Sequence, residues 1–358
     1  MLNYILKKIG YGLLVIFGVV TLVFFLFNIL PGDPARMMLG QRADEQSVEM
    51  IHKDLGLDKP LGIQYLNYLN DLCPISFHST SKSSKFFLDT TKYTSFTTLI
   101  KVNKSRVILK KPYLRRSYQS KRNVSDILKE AFPNTIILAI ASIVFAFIIG
   151  VILGSISSLY ANTWLDRLIQ FITSVGMSLP SFFAAIIIAW LFAFVLADYT
   201  GLSMFGSLYV VDDLGRGEHL QIKNLILPAL TLGIRPLAVI TELTKATLLD
   251  VYSQDYIRTA RAKGLNNRQI IWRHALKNAL NPVITATSGW FASLIAGAVF
   301  VEYIFDWKGV GVVIVDSLEK YDFPVVMGAL LVVCILLVLI NILTDILYGV
   351  LDPRIRVK

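Results

Sequence analysis

The chain has 358 residues, 54% hydrophobic and 17% charged, with a mean hydropathy of +0.59, a balance that argues against a soluble enzyme. Its 35 basic and 25 acidic residues leave a formal charge of +10, an excess that raises nucleic acid or an anionic membrane surface as a partner. The charge is not spread evenly: residues 73 to 125 carry +11, and everything else sums to −1.

Six stretches are long and apolar enough to cross about 30 Å of hydrocarbon, near Ile9–Leu30, Asn134–Leu159, Leu168–Ala197, Asn224–Leu248, Pro282–Phe305 and Phe323–Leu347. The first is far longer than the apolar core of a signal peptide and no small-residue cleavage site follows it, so it reads as a retained helix. Pro31, Gly32 and Pro34 then enforce a turn, and Ser47–Leu55 has the pattern of an amphipathic helix. From Cys73 to Pro112 the chain is rich in Ser, Thr and Lys, with enough Val, Ile, Phe and Tyr to predict short strands. Contact with an acidic protein, contact with anionic headgroups and a plain solvated elaboration all stay open for this insert.

The second span carries Gly150, Gly154 and Ser158 at every fourth position, and the fifth carries Gly289, Ser293 and Gly297. That spacing lets helices approach closely, either inside one bundle or between subunits. The fourth span holds Arg235 and, two turns on, Glu242. An Arg near the centre of a span costs about 2.5–3.5 kcal/mol on insertion scales, so Arg235 is expected to face protein or water. A solute pathway or proton relay, a buried structural pair and a group near the membrane interface all fit.

Between the fourth and fifth spans lies "SQDYIRTARAKGLNNRQIIWRHALKNALNP", Ser253 to Pro282. Asp255–Lys263 reads as a short helix, Gly264 as its left-handed stop, Leu265 as a residue folding back on it, and Asn266 with Gln269 as a capping box that starts a second helix. The product is a stiff basic knob, which is either simply solvated or a docking site. Seven basic residues around it outweigh Asp250 and Asp255 by +5, whereas Glu302–Asp322, read as a loop, is −3 and Asp198–Lys223 is −2. The excess of Lys and Arg places the knob and both termini on the cytoplasmic side, and the +11 stretch falls in a long outer segment to which the charge rule does not apply. Nucleic acid is thereby ruled out as its partner.

The knob resembles the EAA loop of ABC importer permeases, with Ala260, Gly264 and Leu276 at the positions of that pattern. Arg258 and Thr259 replace the Glu and first Ala, as is usual in the peptide-importer branch, which reads RTARAKGL as Arg258–Leu265 does. "LPGDP", with Pro31, Gly32, Asp33 and Pro34, and "LGLDKPLGIQYLNYL" at Leu55–Leu69 resemble the N-terminal signature of the same branch. "LDPRIR", with Asp352, Pro353 and Arg354, resembles its C-terminal one. The likeness covers most of the chain outside Cys73–Pro112.

The resemblance implies an all-α integral membrane protein with six transmembrane helices of the type I ABC importer permease kind. Its parts would be an N-terminal helix at 1–30, an extracytoplasmic segment at 31–130 with the insert at about 73–112, a core at 131–350 with the coupling loop at 253–281, and a cytoplasmic tail at 351–358. It implies a permease for dipeptides or oligopeptides, or for nickel chelates, glutathione or another small solute, in the bacterial inner membrane. A homologous second permease, two cytosolic ATPases and an extracytoplasmic substrate-binding protein would be its partners. Arg258, Thr259, Ala260, Arg261, Gly264, Leu265, His274 and Leu276 would couple it to the ATPases. No Gly-Lys dipeptide occurs, so no phosphate loop can form, and ATP and Mg belong to the partner subunits. Cys73 and Cys334 do not suggest a disulfide and the four histidines lack ligand spacing, so neither a metal nor another cofactor is expected in this chain. An intramembrane enzyme or sensor is the rival class, and neither Gly-x-Ser-Gly nor His-Glu-x-x-His is present.

Overall fold

A computed structural model describes residues 2–29, 36, 44–55, 57–80, 84, 87–88, 92–93, 95–211 and 217–351. The signature residues Pro31, Gly32, Asp33, Pro34, Asp352, Pro353 and Arg354 lie outside them. The chain divides into two units: Met1–Gly12, Ala131–Val312 and Ile335–Lys358 form the first, and Leu13–Glu130 with Val313–Cys334 the second.

The longest helices are apolar over lengths that suit a bilayer. α1 is Leu2–Ile29, and the insert strands described below separate α2 (Glu45–Leu55) and α3 (Leu61–Leu72) from α4, Val124–Leu159. α5 (Trp164–Ser178) and α6 (Ser181–Trp190, continued by a wide turn at Leu191–Val195) follow, then the short α7, Ala197–Thr200. α8 is Lys223–Tyr252, α9 Asp255–Ala262, α10 Asn267–Ile270, α11 Leu276–Ile304, α12 Val310–Glu319 and α13 Phe323–Leu351. Buried Leu138, Ala185, Leu227, Leu232, Ile295, Val301 and Trp307 join α4, α6, α8 and α11 in one core.

The third span departs from expectation. Leu168–Ala197 is not a single helix: α5 and α6 meet at a 114° bend, where Pro180 can neither donate a backbone bond nor let Leu179 stay helical. The pair nevertheless carries the chain across. Asp166 near the start of α5 holds Lys245 of α8 at 2.6 Å, while Ser207, beyond α6, accepts a bond from Asn224 Nδ2 at 2.9 Å. Those two places on α8 are about 32 Å apart at 1.5 Å per residue. Five unbroken spans and this broken one make six crossings. Consistently, Lys8 near the start of α1 pairs with Asp345 near the end of α13 at 2.6 Å, so those two helix ends lie on one side.

A second correction concerns Glu302–Asp322, read above as an acidic loop. It contains α12, and Glu302 and Asp322 are both buried. Glu302 accepts the Gly311 N–H at 2.6 Å and Thr135 of α4 accepts the Val310 N–H at 2.9 Å, so two otherwise orphaned donors at the start of α12 are satisfied from neighbouring helices. A Cβ at Gly309 would collide with the Glu302 carboxyl, which explains a glycine there.

In the second unit, α3 packs on α1 through Tyr65 and Tyr68 against Phe24, with Thr21 and Tyr65 hydroxyls 2.6 Å apart. The predicted strands exist: β1 (Ile75–Ser79), β2 (Phe96–Val102) and β3 (Ser105–Lys110) form an antiparallel sheet in the order β1-β3-β2. Asn70 of α3 pairs with both backbone groups of Phe77, covering the edge of β1. One face, with Ser76, His78, Ile108 and Lys110, is buried, and Leu88, Tyr93 and Ile108 form its small apolar core. The other exposes Ile75, Phe77, Ile100, Val102 and Leu109. Beyond the sheet, Asp322 accepts bonds from the Ser117 hydroxyl at 2.5 Å and the Tyr118 N–H at 2.9 Å, anchoring the chain before α4.

His78 lies between Ser76, Asn70 and the Tyr93 ring. Burial first, and the Lys110 charge second, lower its pKa from the ordinary 6.5, with Asp71 opposing and Lys92 adding to the shift. The unfolded chain therefore binds this proton more readily than the folded one. Stability of the sheet is full above about pH 6.5 and falls as the pH drops below it. Tyrosine-monitored thermal unfolding at pH 5.5 should give a lower midpoint than at pH 7.5, and His78→Gln should shrink that difference; an equal pH dependence in the variant would exclude His78 as its source.

Candidate functional site

The knob between α8 and α11 is built as its residues dictate. α9 ends in a turn in which the Gly264 N–H donates to Arg261 O at 2.9 Å and the Leu265 N–H to Ala260 O at 3.3 Å. Gly264 has φ +81°, the left-handed region that glycine enters without a Cβ penalty. The capping box closes in both directions, with Gln269 N–H on Asn266 Oδ1 at 2.8 Å and Asn266 N–H on Gln269 Oε1 at 3.2 Å. α10 then runs through a wide turn at Ile271–Ala275 into α11.

One face of this element is fixed to the spans. Ile257, Ala260, Ile270, Ala275, Leu276 and Ala279 share a buried cluster with Ala146 and Val151 of α4 and Ile240 and Leu248 of α8, and Leu265 packs on its edge. The other face is open: Arg258, Thr259, Arg261 and Gly264 are exposed, and Arg258 pairs with its neighbour Asp255 at 3.4 Å. His274 is half-buried on the wide turn. Of the eight residues singled out above, Ala260, Leu265 and Leu276 thus come together in the cluster, and Arg258, Thr259, Arg261 and Gly264 form the surface. The packed side chains make a continuous connection from that element to α8 and α11, and close-packed interiors yield little.

The Asp166–Lys245 pair braces the same end of α8. Asp166 also accepts the Ser157 hydroxyl at 2.5 Å and the Asn162 N–H at 2.9 Å, and its side chain is 6% exposed against 21% for Lys245. Sequence reading missed this pair because the two residues stand 79 positions apart on segments with no shared motif.

The glycine stripes separate. Cβ atoms at Gly150 and Gly154 would press on Ile240 and Thr244 of α8, and the Ser158 and Tyr252 hydroxyls lie 3.4 Å apart, so the stripe on α4 is internal packing. Gly289, Ser293 and Gly297 are exposed on α11, and a Cβ at Gly297 would meet nothing within 4 Å. Arg235 and Glu242 are exposed on α8 and form no ion pair with each other among the described residues, so the buried-pair reading is set aside.

Residues 146–357 match the family model "Binding-protein-dependent transport system inner membrane component", and residues 1–85 match its N-terminal counterpart. The chain belongs to this family. It is 34% identical to the dipeptide transport system permease protein DppB of Alkalihalophilus pseudofirmus, over 99% of this chain and 100% of that one. The same figure, over the full length of both, holds for the glutathione transport system permease protein GsiC of Escherichia coli K12. The di/tripeptide transport system permease protein DppB of Pseudomonas aeruginosa is 33% identical, over 99% of each chain. Among solved structures, an inward-facing MetNI methionine ABC transporter has a chain that aligns with a TM-score of 0.50 at 19% identity, covering 63% of this chain and 96% of that one, which supports the permease fold. The protein is a multi-pass membrane permease.

Proposed function

We propose that this permease forms part of the pathway of an ATP-driven importer for short peptides, and that the face carrying Arg258, Thr259, Arg261 and Gly264 receives the force from separate ATPase subunits. The observation that carries this reading is the construction of the knob, rigidly packed against α4, α8 and α11 on one side and open and basic on the other. Its partners are a homologous second permease, two cytosolic ATPases and an extracytoplasmic binding protein. The knob and both termini face the cytoplasm, as the Lys and Arg distribution requires. ATP and Mg sit in the ATPases, and this chain supplies a conformational equilibrium that their closure biases.

The peptide reading draws on the two dipeptide-type relatives. Glutathione, itself a tripeptide, is the second reading, supported by the equally similar glutathione permease. A cysteine placed by Thr259→Cys should cross-link to an introduced cysteine on the docking cleft of the co-expressed ATPase, and ATP should change the yield. Failure to co-purify with any ATPase would overturn the proposal.

A further inference from the structure

α8 is the most enclosed of the spans. From Leu227 to Gly233 its residues are buried except for the half-buried Leu230, and below that point the exposed positions are Arg235, Glu242, Ala246, Leu249 and Asp250. The first four recur at intervals of seven, four and three residues, which places them on one narrow stripe. Between Lys223 and Lys245, Arg235 and Glu242 are the sole charged residues of the helix, and both stand on that stripe.

Arg235 lies about 18 Å along the helix from Lys223 and about 26 Å from Tyr252, at 1.5 Å per residue. That is the middle of the span, where a guanidinium is not left against lipid tails. The exposed stripe of this helix therefore faces water or a neighbouring subunit, not lipid. A cation and an anion separated by seven residues stand about 10 Å apart along the axis. An extended chain covers at most about 3.3–3.6 Å per residue, so three residues span the same distance.

We infer that Arg235 and Glu242 are a two-point recognition site in the pathway for a zwitterionic peptide of about three residues: the guanidinium binds the terminal carboxylate and the Glu242 carboxylate the terminal ammonium. Arg suits this role because its planar donors match a carboxylate in two-bonded geometry. The site rests on the permease reading above and adds the substrate's charge pattern and length to it. Each contact exchanges the hydration of a side chain and of a peptide end for one ion pair, and passage requires both pairs to be weak. No covalent step is involved.

The test uses the full complex with its ATPases in nanodiscs, with Cys73→Ser and Cys334→Ala, and a thiol introduced by Ala246→Cys one turn beyond Glu242. A polar maleimide should label this thiol, and trialanine should slow labelling at least threefold. N-acetylated, C-amidated trialanine should not slow it, and Arg235→Gln or Glu242→Gln should each abolish the protection by trialanine. A thiol that does not react would show the stripe to be covered by lipid or by a neighbouring subunit and would overturn the inference. Equal protection by free and end-blocked peptide would overturn it as well. ATP-driven peptide uptake by the unmodified complex, measured in parallel, separates the two readings: its absence sinks the permease proposal, whereas uptake without end-dependent protection sinks only the two-point site.

Discussion

Gly264→Val is expected to lower the number of peptides imported per ATP hydrolysed by about 5- to 30-fold while leaving membrane insertion intact. Space is no obstacle, because a Cβ at Gly264 would meet nothing within 4 Å. The obstacle is the backbone. At φ +81° an L-residue bears about 1–2 kcal/mol, and a β-branched one more. A penalty of that size corresponds to the stated factor in population. Valine escapes by leaving the left-handed region, which breaks the bonds from Gly264 to Arg261 and from Leu265 to Ala260. The second half of the knob then points elsewhere while α8 and α11 keep their own packing. Asn enters the left-handed region more readily, so Gly264→Asn should retain most of the coupling. Proteoliposomes with measured ATP consumption and peptide accumulation decide it, and unchanged coupling in the Val variant would remove the turn from the account.

Asp166→Ala should cost about 3–5 kcal/mol of stability, because it leaves Lys245 largely buried without its partner. The same change strips acceptors from the Ser157 hydroxyl and the Asn162 N–H, loosening the ends of α4 and α5 beside the knob. Replacing both charges, as Asp166→Ala with Lys245→Met, should recover a large part of the loss, since the desolvated ammonium is then gone. Thermal unfolding of the detergent-solubilised permease measures this. A single variant as stable as the parent, or a double variant no better than the single, would mean that the pair does not brace this end of α8.

What could be read from the residues depended on the range over which each signal acts. The Gly264 turn and the Asn266–Gln269 box are local, decided within a few residues by backbone conformation and capping chemistry, and both are present as expected. Span positions follow from apolar length and were legible at most ends, but the helices of the second and fifth spans begin earlier than read, at Val124 and Leu276. Pro180 is a residue at which a helix can break, but a 114° bend depends on how α5 and α6 each pack on α8, which composition does not encode. Glu302 and Asp322 were counted as solvated loop acids because charge at a span end usually is. Their burial comes from donors supplied by Gly311 and by Ser117 and Tyr118, far from them in pattern or in sequence. Glycines at 309 and 311, crowding around one carboxyl, were the available sign, and it is meaningful once the helix ends are in place. The insert was legible as strands from its Val, Ile and Thr content, but the exposed apolar face of the sheet is a matter of register, which a bulge between Thr98 and Ile100 resets.

This permease, whose sequence holds no Gly-Lys phosphate loop, is proposed to be driven through the surface at Arg258–Gly264. The most direct test is accumulation of labelled tripeptide in proteoliposomes containing this chain, its second permease, the ATPases and the binding protein. The account predicts uptake that requires ATP and every subunit, and that collapses when Arg258 and Arg261 are both changed to Glu although the permease pair still assembles. Uptake that persists in that double variant, or that proceeds without the ATPases, would contradict it.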